Sequence, residues 1–204
     1  GVVPVYALDC LEDGSPCFTM KLVKGRTLAA ILARRQPGEA DLASLLGIFG
    51  QVCQAVAYAH SRGVIHRDLK PGNVMVGAFG EVQVMDWGLA KVLAGPAGQD
   101  AEADEPGTVI ETVRTARVGG AWQTGRAGTP EYVPPEQARG EMDLVDARSD
   151  VFGLGAILCE ILTGQPPFAG GDMRARLRLA MAGDLSDAFA RPDPGGQLDA
   201  TGLA

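Results

Sequence analysis

Residues 66–73 read His66-Arg67-Asp68-Leu69-Lys70-Pro71-Gly72-Asn73, and three of their side chains could do chemistry together. The Asp68 carboxylate can accept, or at least orient, the proton of an attacking hydroxyl. Asn73, five residues on, can bend an amide oxygen back toward a hard cation such as Mg2+. Lys70 between them can neutralise negative charge that develops on a phosphoryl group. A second carboxylate, Asp86, follows thirteen residues after Asn73 in the triplet Asp86-Trp87-Gly88. Singly these are ordinary features. An Asp beside a Lys is most often a surface ion pair, and Asp-Trp-Gly alone is a turn signal. Together, in this order, they could set a proton acceptor, a cation and hard oxygen ligands around one reacting group.

Bulk properties set the frame. The chain has 204 residues, 46% hydrophobic and 21% charged, with a formal net charge of -7. That is ordinary for a globular domain with a proper core and argues against disorder. The acidic balance lacks the basic footprint of a nucleic-acid binder. The four cysteines, Cys10, Cys17, Cys53 and Cys159, form no CxxC pair, and His60 and His66 are the two histidines, so a zinc site is not indicated. They read as reduced thiols, with Cys53 and Cys159 as small apolar residues inside helices. No apolar run is read as approaching the ~18–20 residues of a membrane span, and no signal peptide is visible. The chain opens at Gly1 on the apolar run Val2-Val3-Pro4-Val5-Tyr6, as if in mid-strand. Residues 1–204 are therefore expected to be a fragment, truncated at both ends.

The elements that must position these residues follow from periodicity and breakers. Residues 2–10 and 17–23 read as two strands joined by a turn at Glu12-Asp13-Gly14-Ser15-Pro16. Thr27 is placed to cap a short helix to about Arg35, and Asp41 to cap a long one. In that long helix Leu42, Leu45, Leu46, Phe49, Val52, Cys53, Val56 and His60 keep three-four spacing, and Gly63 ends it. Short apolar pieces lie at residues 64–65, 74–76 and 82–85. Residues 94–128 have no period and are rich in Gly, Ala, Thr and acids, the mark of a functional or mobile loop. A helix from Asp146 to Thr163 reads as apolar almost all round, and so as buried at the centre of the domain. Another runs from about Asp172 to Ala182. The Pro/Gly-rich tail from Arg191 is expected to fray.

Residues 66–73 resemble the catalytic loop of protein kinases, H-R-D-L-x-x-x-N, at every fixed position, and Asp86-Trp87-Gly88 resembles the Asp-Phe-Gly of that family. Two further blocks follow in the family's order. Gly128-Thr129-Pro130-Glu131-Tyr132-Val133-Pro134-Pro135-Glu136 resembles the end of the activation segment, with Pro134 where Ala is usual. Arg148-Ser149-Asp150-Val151-Phe152-Gly153 resembles the start of the family's central helix. The resemblance covers nearly all of residues 1–190 and is nearest to bacterial Ser/Thr kinases of eukaryotic type.

The resemblance implies an α+β, protein-kinase-like fold: a remnant of the N-lobe and hinge at 1–23, a helical C-lobe at 24–190 and a tail at 191–204. It implies Asp68 and Lys70 as catalytic residues, and Asn73 and Asp86 as ligands of Mg2+. It implies ATP held by Lys70, Asn73 and Asp86, with Met20 as gatekeeper, the Lys21 and Val23 backbones against the adenine, and Met75 under its ring. Thr129 would bond Asp68 and Lys70, Asp150 would hold the catalytic-loop backbone, and Glu136 would take a structural ion pair. Thr115 and Thr124 would be phosphosites answered by Arg67. Protein substrates and ATP are the implied partners, and a cytoplasmic kinase domain is implied, compatible with membrane anchoring of a longer chain.

The family's glycine-rich loop, strand lysine and helix glutamate have no counterpart here, so residues 1–204 alone are expected to be inactive. A non-catalytic pseudokinase is the alternative from another class, and a small-molecule phosphotransferase a third. Asp68, Asn73 and Asp86 weigh against the former, and the Pro-Pro-Glu block against the latter.

Overall fold

The computed structural model describes residues 1–11, 13, 15–35, 42–93 and 129–191. Asp41, Thr115, Thr124 and the tail from residue 192 lie outside the described residues. The chain runs β1 (Val5–Cys10), β2 (Pro16–Met20), β3 (Arg26–Thr27), α1 (Leu28–Leu32), α2 (Leu42–Ser61), β4 (Val64–Ile65), β5 (Val74–Val76), β6 (Val82–Val84), β7 (Lys91–Val92), α3 (Pro135–Ala138), α4 (Ala147–Thr163), α5 (Met173–Ala182) and α6 (Ser186–Ala190). Single 3-10 turns occupy Pro71–Asn73, Trp87–Leu89 and Pro130–Tyr132.

Among the described residues the strands form three small antiparallel sheets. β1 pairs with β2, β4 with β7, and β5 lies between β3 and β6. The β5–β6 hairpin aligns Val74 with Val84 and Val76 with Val82. It therefore carries the chain from Asn73 back to Asp86, and Met85 N–H donates to the Asn73 carbonyl at 2.8 Å. β1 and β2 are shorter than the residue pattern suggests. Pro4 has no N–H to give a ladder, so the pair ends on the single bond from Lys21 N–H to the Pro4 carbonyl. β1 is exposed along its whole length.

Helix starts follow the side chains available to cap them. The Thr27 hydroxyl accepts from Ala30 N–H, Asp146 accepts from Arg148 N–H, and Asp172 accepts from Ala175 N–H. Gly63, at φ 70, follows α2 in the left-handed region that a side chain would resist. The main core lies between α2, α4 and the β5–β6 hairpin, where Leu45, Val52, Val56, Val74, Val84, Ile157 and Ile161 meet Leu69 of the catalytic loop. A second cluster joins Val133, Ala138, Phe168 and Ala180.

Two expectations need correcting. α4 is not buried all round: Val151 is 59% exposed. Its buried residues, Ser149, Asp150, Gly153, Ala156, Ile157 and Ile161, step at three or four, so one stripe faces inward. α2 is long and apolar enough, by length and composition, to cross a membrane. Here its buried face, Leu45, Ile48, Val52 and Val56 among others, packs in the core, which accounts for the apolarity. At the end of α6 the Arg191 guanidinium donates to the Pro166 carbonyl at 2.8 Å and the Pro167 carbonyl at 3.2 Å, and the rest of the expected tail lies outside the described residues.

Two glycines of α4 give opposite expectations. A Cβ on Gly153 would sit 2.9 Å from the Leu69 Cβ, whereas one on Gly155 meets nothing within 4 Å. Leu69 is 4% exposed and held in the catalytic loop, so it cannot step aside cheaply. Gly153→Ala should therefore lose about 1–3 kcal/mol to overpacking. Gly155→Ala should gain roughly 0.5–1 kcal/mol from helix propensity. Thermal melts of the two variants beside wild type check the pair, and equal shifts would contradict it.

Candidate active site

The catalytic loop is held from α4. Asp150, 1% exposed, accepts the His66 N–H at 2.7 Å on Oδ2 and the Arg67 N–H at 2.8 Å on Oδ1. His60 of α2 reaches the same Oδ2 at 2.8 Å through Nε2. A buried carboxylate is tolerable only with such partners. Glu136 is tied to the same helix, its Oε1 accepting the Ser149 hydroxyl at 2.6 Å. α3 and the first turn of α4 thus form one block behind the loop.

His66 lies inside that block, 0% exposed. Its Nδ1 accepts the Asp68 N–H at 3.2 Å, so Nε2 carries the proton and donates to the Met85 carbonyl at 2.9 Å. Burial holds the imidazole below the ordinary histidine value, opposed by the Met85 carbonyl and by the Asp150, Asp68 and Asp86 carboxylates. Protonating Nδ1 would also break its bond from Asp68 N–H. Because the folded-state pKa is depressed, this group's stability contribution is complete above pH ~6.5 and is lost as pH falls through the folded value. Nitrogen NMR should accordingly show His66 neutral, as the Nε2–H tautomer, at pH 6.5. A His66 ring half protonated there would contradict the burial argument.

Asp68 faces two donors. Lys70 Nζ lies 2.8 Å from Oδ2 and 3.1 Å from Oδ1, and Asn73 Nδ2 lies 3.0 Å from Oδ2. Asn73 Nδ2 also donates to the Asp68 carbonyl at 2.8 Å, closing the loop on itself. The Asn73 amide nitrogen is thereby committed, which leaves its Oδ1 for a cation. Asp86 is exposed, and its carboxylate has no hydrogen-bond partner among the described residues. An amide oxygen and a free carboxylate are hard donors that fit Mg2+. Among the described residues no cluster of three or more His, Cys, Asp or Glu side chains could hold a metal, so such an ion would depend on donors from its ligand or water.

Backbone strain concentrates at the same place. Among the described residues, the non-glycine residues with positive φ are Arg67, at 68, and Asp86, at 57. Each such residue costs on the order of 1–3 kcal/mol and persists only where its surroundings over-determine it. Arg67 shows how. Its N–H is on Asp150, its Nε donates to the Leu89 carbonyl at 2.5 Å, and its own carbonyl accepts from Gln137 Nε2 at 2.9 Å. Burial draws the guanidinium below its ordinary value, against the attraction of Asp150. Next to Asp86, the Trp87 ring sets an edge against His66 with centroids 4.6 Å apart. Its Nε1 donates to the Val84 carbonyl at 3.0 Å, a bond that a phenylalanine could not make.

Other sequence-derived residues stand apart. Thr129 begins the 3-10 turn with no side-chain capping bond, and Asp68 and Lys70 bond each other without its hydroxyl. No hydrogen bond among the described residues joins the Thr129 hydroxyl to Asp68 or Lys70. Met20, 43% exposed, ends β2, and Lys21 N–H donates to the Pro4 carbonyl at 3.1 Å. Val23 is half-buried just beyond, and Met75 lies in the other sheet, paired with Thr27 and Gln83. No hydrogen bond among the described residues joins Met75 to Met20, Lys21 or Val23. Sequence reasoning missed Gln137, Ser149 and Leu89, whose bonds to the loop or its support cross long stretches of chain. Its only signal for the first two was adjacency to Glu136 and Asp150.

The sequence profile described as "Protein kinase domain" matches residues 5–189. Over 182 residues the chain is 34% identical to the serine/threonine-protein kinase PknD of Protochlamydia amoebophila, covering 84% of this chain and 18% of that protein. It is 39% identical over 172 residues to the serine/threonine-protein kinase PknB of Mycobacterium tuberculosis, and 41% identical over 172 residues to that of Mycobacterium leprae. Each of these alignments covers 83% of this chain and 24% of the relative. The chain thus spans between about a fifth and a quarter of the curated relatives it matches.

Proposed function

The chain belongs to the protein kinase family, and from that premise we propose that the protein carrying it transfers the γ-phosphoryl group of Mg-ATP to serine and threonine hydroxyls of proteins. The observation that carries this reading is the Asp68 carboxylate, 12% exposed and bonded by Lys70 Nζ and Asn73 Nδ2 in a loop fixed from α4. Asp68 orients the incoming hydroxyl and takes its proton. Lys70, whose ammonium already stands on Asp68, neutralises the phosphoryl oxygens as the bond to the leaving group lengthens. Asn73 and Asp86 would hold Mg2+, whose chemistry when bound is to offset charge on the nucleotide phosphates.

Met20, the Lys21 and Val23 backbones and Met75 are proposed for the adenine. Arg67 is proposed to receive a phosphorylated Thr115 or Thr124. Supporting this, its Nε is bonded to Leu89, while Nη1 and Nη2 find no acceptor among the described residues. Thr129, Glu136 and Asp150 are proposed as structural. The reading places the domain in the cytoplasm, where ATP is available. Incubating the full-length protein with Mg2+ and radiolabelled ATP, beside a generic protein and an aminoglycoside, tests it. Label on the protein is expected. Label on the aminoglycoside alone would assign a small-molecule phosphotransferase instead.

A further inference from the structure

We infer that Gln137 is a positioning residue for the catalytic carboxylate, acting through the peptide bond that precedes Asp68; this rests on the reading of Asp68 given above. That peptide plane is pinned at both ends. Its N–H, on Asp68, donates to His66 Nδ1 at 3.2 Å, and its oxygen, on Arg67, accepts from Gln137 Nε2 at 2.9 Å. The first bond is internal to the loop and turns with it. Among the described residues the second is the one that fixes the plane from outside.

Orientation of this plane matters because Arg67 sits at φ 68, where the chain has little intrinsic reason to stay. Asp150 fixes the peptide before Arg67, and Gln137 the peptide after it. Rotation of that second plane would swing the Asp68 Cβ and its carboxylate away from Lys70 and Asn73. Gln137 is well placed to resist this. α3 is anchored to α4 through Glu136 and the Ser149 hydroxyl at 2.6 Å, beside Asp150. Both clamps on Arg67 therefore belong to one block.

The other end of the amide supports a role in positioning over one in stability. Among the described residues, Gln137 Oε1 is buried with no hydrogen-bond partner. An unmet buried acceptor offsets what the Nε2 bond contributes. Turning the amide over would set oxygen against the Arg67 carbonyl, so the donor must face the loop.

The test uses the full-length protein. Gln137→Met keeps length and removes the donor. It is expected to lower kcat by about 10–100-fold, the scale of a small misplacement of a reacting group, with KM for ATP little changed. Gln137→Glu supplies the readout that a merely structural role would not move. Ionised, its carboxylate repels the Arg67 carbonyl; protonated, its O–H donates to it. The kcat of this variant relative to wild type should therefore rise as pH falls. If Gln137→Met does not fold, the pH profile of Gln137→Glu decides alone. An active wild type with either folded variant matching it in kcat and pH profile overturns the positioning role and leaves the kinase reading intact. A wild type that labels no protein overturns both.

Discussion

Asp68→Asn in the full-length protein is expected to lower kcat by about 10²–10⁴-fold, the usual weight of a positioned base. Mg-ATP affinity should stay close to wild type. The substitution is nearly isosteric, so the loop's scaffold survives: Asp150 still holds the His66 and Arg67 N–H groups, and Gln137 still holds the Arg67 carbonyl. What changes is local. An amide in place of the carboxylate can accept from only one of its two ends, where Asp68 now accepts from Lys70 at both oxygens and from Asn73 at one. It can neither take a proton from a hydroxyl nor attract the Lys70 ammonium as a charge. Turnover with saturating ATP, measured beside equilibrium binding of Mg-ATP, separates the two effects. A kcat within about twofold of wild type would remove Asp68 from the proton-handling role.

Asp86→Ala should act on both quantities. Its carboxylate has no protein hydrogen bond to lose among the described residues, so little structural cost is expected. The backbone adds a modest cost, because alanine tolerates the left-handed region at φ 57 less readily than aspartate does. Loss of a direct cation ligand should weaken Mg-ATP binding by at least about tenfold. Phosphoryl transfer should fall on the order of 10³-fold, because charge stabilisation is usually the largest single contribution to such a reaction. Calorimetric titration with Mg-ATP checks the first, and single-turnover transfer the second. Unchanged Mg-ATP affinity in a folded Asp86→Ala protein would contradict the metal role.

Much of this site was legible because its chemistry is local in sequence. Asp68, Lys70 and Asn73 lie within one short run, and a loop that small must bring them together. Helix starts at Asp146 and Asp172 were legible for the same reason, since a cap acts within one turn. What escaped was non-local. The bond from Gln137 to Arg67 crosses 70 positions and carries no periodicity. β3 and β7 are two residues long, too short for any alternation to register. α4 misled because Val151 looks like core yet is exposed, and composition cannot say which face of a helix meets a partner. Of the α2 stripe, Leu45, Val52 and Val56 are buried, as their three-four spacing on one face requires, whereas Leu46 is 40% exposed.

The central claim is that the domain phosphorylates protein serine and threonine hydroxyls through Asp68. The most direct measurement is phosphoamino-acid analysis of a generic protein substrate labelled from radiolabelled Mg-ATP by the full-length protein, with Asp68→Asn run alongside. Label on phosphoserine and phosphothreonine in the wild-type lane, and its near absence in the Asp68→Asn lane, is the result predicted. No label in either lane, or equal label in both, would contradict it.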